Sequence, residues 1–159
     1  MLHLAAKLAL EGPLRIFDGG NHTNVYVIAK HIRRFTPLVD ESLEHIRVAR
    51  AFTCYQILHL LSSAPVEQQP LLMLDLLATF YDENVSLQKA QHLLNRVLHE
   101  IERFRGKVPL VISVRSTVPD LERSVLLEQL AAKADRVIIL KLSDPSQPSA
   151  PESQLTFPF

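Results

Sequence analysis

Two carboxylates and a pair of glycines stand where an α/β protein would do chemistry. Asp18, Gly19, Gly20 and Asn21 directly follow the apolar run 14–17. If that run is a parallel strand, the loop falls at the carboxyl edge of the sheet, where ligands of such folds bind. Two residues without side chains let backbone N–H groups approach an anion closely. A tight strand-to-helix turn would use the same residues, and the run is not a G-x-G-x-x-G fingerprint. Asp75 closes a second apolar run, Leu71–Leu72–Met73–Leu74. A carboxylate after a buried strand is the Walker B arrangement, which holds Mg²⁺ directly or through water. Many buried strands end in Asp, so this signal is not specific. Ser113–Val114–Arg115–Ser116 closes a third run; Arg115 there can meet a phosphate or simply be solvated. The candidate nucleotide-binding residues are therefore Asp18, Gly19, Gly20, Asn21 and Arg115, and the candidate metal ligand is Asp75.

Other chemistries find little support. The four glycines are Gly12, Gly19, Gly20 and Gly106, and none opens a G-x-x-x-x-G-K-[ST] loop. Without that backbone cradle and its lysine, nucleotide phosphates lose their main neutralising groups. The seven histidines include no H-E-x-x-H, and His92 and His99 lie two helical turns apart, too far to share an ion alone. No serine sits in a nucleophile elbow. Cys54, the one cysteine, begins a helical pattern among apolar neighbours, which favours a buried structural thiol over a reactive one. Seventeen basic residues equal seventeen acidic ones. Direct nucleic-acid binding usually needs a basic excess, because phosphate neutralisation supplies most of the affinity. The pairs Arg33–Arg34 and Arg103–Arg105–Lys107 read as solvated faces.

The elements that must position these residues alternate. Runs 14–17, 46–49, 71–76, 110–114 and 136–142 read as strands, most of them continuously apolar as buried parallel strands are. Between them lie helical patterns. Residues 24–35 place Val25, Ile28, Ala29, Ile32 and Phe35 on one stripe. Thr53 with Gln56 forms a capping box before Ile57, Leu58 and Leu61, and Thr117 with Asp120 suggests another before 121–132. Ser86 caps a long helix carrying Leu94, Val97, Leu98 and Ile101, which Gly106 ends. Such alternation predicts an α/β fold of three layers, a mainly parallel sheet with helices on both faces.

With 159 residues and 47% hydrophobic side chains, one packed domain is expected, spanning 1–142. Residues 143–159 carry Pro145, Pro148, Pro151 and Pro158 with Ser and Gln, and are expected to form an extended tail. No apolar run approaches the roughly 18 residues of a membrane span. The start 1–10 is amphipathic and lacks a signal peptide's basic beginning. A cytoplasmic protein without membrane contact is expected.

Together these elements resemble the RecA-like recombinases, over roughly residues 13–141. The family's strand ending in an acidic D-x-E-G turn is matched by Phe17–Asp18–Gly19–Gly20–Asn21. Its A-R-A-F strand-turn is matched in full by Ala49–Arg50–Ala51–Phe52, the most specific part of the likeness. The Walker B carboxylate falls at Asp75, followed by Ala78–Thr79 and Tyr81. Residues 1–10 correspond to the helix after the phosphate loop, so loop and strand would precede Met1. The departures cluster at the chemistry. The family's water-activating glutamate falls at Gly20, which cannot act as a base. The Asn-Gln sensor is replaced by Val114–Arg115, and the Arg beside the first DNA loop by Asp82. In place of the Gly-rich second DNA loop, Pro119 leads straight into a helix.

The resemblance implies a non-hydrolysing RecA-like P-loop NTPase core, N-terminally abbreviated, acting as a binding or regulatory module in DNA repair or recombination. ATP and Mg²⁺ would bind weakly or with a partner's help. The partner would be a second copy or a competent RecA-like ATPase subunit, and DNA would be reached only indirectly. Alternatively, the chain is a piece of a P-loop ATPase whose phosphate loop lies upstream, or an α/β interaction domain with no nucleotide history. A flavodoxin-like strand order would favour the last.

Overall fold

The computed structural model describes residues 1–115 and 121–140. The expected cap at Thr117 and Asp120, the turn at Pro119 and the tail 143–159 lie outside them. Four strands, β1 (Leu14–Asp18), β2 (Ile46–Arg50), β3 (Leu71–Leu74) and β4 (Leu110–Ile112), form one sheet in the order β2-β1-β3-β4. Every pairing is parallel, with Asp18 in register with both Arg50 and Leu74. The described helices are α1 (Leu2–Glu11), α2 (Val25–Ile32), α3 (Val39–Glu44), α4 (Cys54–Ser63), α5 (Leu87–Glu102) and α6 (Ser124–Lys133).

The alternation of side chains along the central strands divides the core in two. Leu14 and Ile16 of β1 and Leu72 and Leu74 of β3 face α1, α2 and α3. Phe17, Leu71 and Met73 face the other way, into a core filled by α4, α5 and α6. The sheet is thus covered on both sides, which explains why β3 is buried at every position and reads as an unbroken apolar run.

Local sequence sets most helix starts. Asn24 caps α2, its side chain accepting from the Val27 N–H at 3.3 Å. At α4 the Thr53 cap forms: Thr53 Oγ1 accepts from the Gln56 N–H at 3.2 Å, while Gln56 Oε1 reaches back one residue beyond the cap and accepts from the Phe52 N–H at 2.7 Å. Thr53→Ala is expected to cost about 1 kcal/mol, read as a melting temperature lowered by about 3 °C. Ser86 occupies the N-cap of α5, yet its side chain makes no capping bond. Helix α5 ends at Glu102, before Gly106, which takes a left-handed φ of 70° in the turn beyond.

Three strand expectations need correction. β3 stops at Leu74 rather than at residue 76, because Asp75 turns left-handed (φ 49°, ψ 53°) and starts a 3-10 helix over Leu76–Phe80. β4 stops at Ile112 rather than at residue 114. The expected fifth strand, 136–142, is not a strand over its described residues 136–140, which pair with no other strand. A β-branched run has the propensity for a strand, but only a neighbouring edge makes it one.

The observed order is that of a flavodoxin-like doubly wound sheet over its first four strands, with the switch point between β1 and β3.

Candidate functional site

Asp18, at the end of β1, is fully buried. Its two carboxylate oxygens accept from the loop that follows, Oδ1 from the His22 N–H at 3.1 Å and Oδ2 from the Thr23 N–H at 2.7 Å. Arg50 closes the arrangement from β2. Its Nη2 donates to the Thr23 carbonyl at 3.1 Å, and its Nε lies 3.9 Å from Asp18 Oδ2. Burial alone would raise the Asp18 pKa. The Thr23 and His22 hydrogen bonds, with the Arg50 charge, outweigh it and hold the carboxyl below its ordinary 3.8. The acidic turn and the Ala-Arg-Ala-Phe run are therefore one structural device: Arg50 and Asp18 brace residues 19–23 from both sides. Both carboxylate oxygens are already engaged by the chain itself.

The glycines that follow bring the end of β1 against the end of β3. The Gly19 N–H donates to the Leu74 carbonyl at 2.8 Å. A Cβ on Gly19 would lie 2.9 Å from the Asp75 carbonyl oxygen, and one on Gly20 would lie 2.7 Å from both Cβ and Oδ2 of Asp75. Asn21 turns the chain at a positive φ of 54°, a conformation Asn tolerates. These glycines thus serve a close approach between two loops, with Asp75 filling the space beside them.

Asp75 itself is paired. Arg115, beyond the end of β4, reaches Oδ2 with its Nε at 2.6 Å and donates its backbone N–H to Oδ1 at 3.3 Å. His22 Nε2 stands 3.7 Å from the same Oδ2. Ser113 accepts the Asp75 N–H on its Oγ at 3.1 Å. The carboxylate is 9% exposed, whereas the Arg115 side chain is 60% exposed, so the pair is open on the arginine side only. A Mg²⁺ ion at Asp75 would have to displace the guanidinium. Among the described residues, no three His, Cys, Asp or Glu side chains are grouped to hold a metal.

A depression of about 270 Å³ lies over this cluster, lined by Met1, Leu2, His22, Leu74, Asp75, Val114 and Arg115. A larger depression of about 350 Å³, lined by Pro13, His45, Arg47 and Gln69, sits at the opposite, amino edge of the sheet. It touches none of the candidate residues.

The structure brings Gly19, Gly20, Asp75 and Arg115 together and sets Asp18 behind them as a brace. Two participants escape sequence reasoning. His22 reaches Asp75 only because the glycine turn folds back on it. Arg123, 8% exposed, donates to the Phe80 and Val85 carbonyls, both at 2.6 Å, and so pins the segment after Asp75 to α6. Nothing in the local sequence separates it from a surface arginine. Cys54 is buried, and burial pushes its thiol pKa up, as expected of a structural cysteine. Burial, and then the Asp75 charge, raise the Tyr81 phenol.

No protein-family model and no curated protein matches this sequence. No helix among the described residues is long and apolar enough to cross a membrane.

Proposed function

We propose that this chain is a non-hydrolysing α/β binding module built on a RecA-like core, which serves DNA repair or recombination by regulating a competent ATPase subunit. The observation that carries the proposal is the Arg115–Asp75 ion pair packed against Gly20. In the recombinase likeness, Asp75 is the Mg²⁺ ligand and Gly20 the position of the base. Here an arginine occupies the ligand's free oxygen, and the base has no side chain. The scaffold residues Asp18, Arg50 and Ala51 remain engaged in packing and hydrogen bonds. Scaffold kept and catalysis removed is the pattern of a regulatory subunit.

The test is calorimetric titration with Mg·ATP and Mg·ADP of the wild type, Asp75→Ala and Arg115→Ala. The wild type is expected to turn over no ATP and to bind nucleotide no tighter than about 1 mM. Arg115→Ala, which releases the carboxylate, is expected to bind Mg²⁺ better than the wild type. Turnover by the wild type alone, or micromolar binding abolished by Asp75→Ala, would overturn the proposal in favour of a fragment of an active P-loop ATPase. Added to a recombinase ATPase from the same cell, the chain should change its rate.

A second reading, suggested by the strand order this sheet shares with flavodoxin-like folds, is an interaction domain without nucleotide history. It is distinguished by the last measurement: a chain that leaves every such ATPase unaffected fits this reading and not the first.

A further inference from the structure

We infer that two copies of this chain associate by adding residues 137–140 of each to the open edge of β4 in the other. Two unmet demands in one chain motivate this. β4 has a strand neighbour on the β3 side only, so its outer backbone groups lack a ladder partner among the described residues, and Val111 on it is exposed. Residues 137–140 are Val-Ile-Ile-Leu, with exposures of 58%, 67%, 81% and 82%, and join no sheet. An apolar, β-branched segment left outside the core is a strand without an edge. β4 is an edge without a strand.

The segment starts in the right place. Asp135, just before it, pairs with Arg105 in the turn that leads into β4. Residues 136–140 therefore leave from the amino end of β4, yet they do not lie against it. A second copy supplies both missing elements at once, and a two-fold axis makes the exchange reciprocal and closed. A formal net charge of zero leaves no overall repulsion between copies. This inference does not depend on the recombinase likeness, and its test is separate from nucleotide binding.

The test is sedimentation velocity of the full chain from about 1 to 100 µM, with hydrogen exchange at both ends of that range. The wild type should become dimeric, and amides of 110–112 and 137–140 should slow together as it does. Ile139→Lys should weaken the dimer at least about tenfold without lowering the melting temperature at concentrations where both proteins are monomeric, since this side chain is 81% exposed. A monomer throughout would overturn the inference. So would a dimer indifferent to Ile139→Lys and Ile138→Lys, or amides equally protected at the lowest concentration, which would mean that the segment pairs with its own β4.

Discussion

Asp18→Ala is expected to destabilise the chain by roughly 3 kcal/mol, lowering the melting temperature by roughly 10 °C. The substitution leaves the Thr23 N–H without its acceptor in a buried position and the His22 N–H without its own. It also deprives the Arg50 guanidinium of its anionic neighbour. Each unsatisfied buried donor costs about 1–3 kcal/mol, which sets the size of the effect. Asp18→Asn should fall between, because one amide oxygen still accepts while the NH₂ group opposes an N–H. The pH dependence has a definite sign. The folded-state pKa of Asp18 lies below its ordinary 3.8, so the unfolded chain takes up this proton first as pH falls. Its contribution to stability is full above that value and is lost as pH drops through the lower, folded one. Chemical denaturation from pH 6 down to pH 2.5 should therefore show an acid loss in the wild type that is smaller in Asp18→Asn. Equal acid slopes in the two proteins would refute the bracing role.

Gly20→Ala is the second large effect, with an expected cost of about 1–3 kcal/mol from overpacking. The added methyl would meet Cβ and Oδ2 of Asp75 and Cδ2 of His22, each at 2.7 Å. Asp75 cannot simply rotate away, since Arg115 holds its carboxylate and its Cβ is fixed by the left-handed backbone. In the recombinase likeness, the clash bears on the absence of the base. A glutamate at this position, where the resemblance puts the recombinase base, would drive its own Cβ into Asp75. Gly20→Glu is therefore expected to destabilise at least as much as Gly20→Ala and to restore no ATP hydrolysis. A phosphate-release assay beside thermal melting checks both; a stable Gly20→Glu protein that hydrolyses ATP would show that the site is not closed by packing. A side chain at position 20 therefore needs the Asp75–Arg115 pair to move as well.

The two predictions rest on neighbouring residues with opposite origins in the sequence. The acidic turn, the Ala-Arg-Ala-Phe run and the Asp after β3 were legible as short motifs, and their strands as apolar runs. What the motifs do was not. The loop after β1 reads equally as a phosphate cradle and as a tight turn; its hydrogen bonds show that it is braced internally by Asp18 and Arg50.

Local sequence determined the alternation of helices and parallel strands, the cap at Thr53, the stripe of α5 and the buried state of Cys54. Each of these depends on neighbours within a few residues, through spacing, propensity and capping, so the chain carries them without reference to distant parts. Tertiary structure alone decided the pairing of Arg115 with Asp75 across 40 residues, the burial of Arg123 under the Phe80 and Val85 carbonyls, and the unpaired state of residues 136–140. These depend on which edges and loops the sheet order brings together. A carboxylate that the sequence presents as a free metal ligand becomes, in the fold, one half of an ion pair, because the end of β4 lies beside the end of β3.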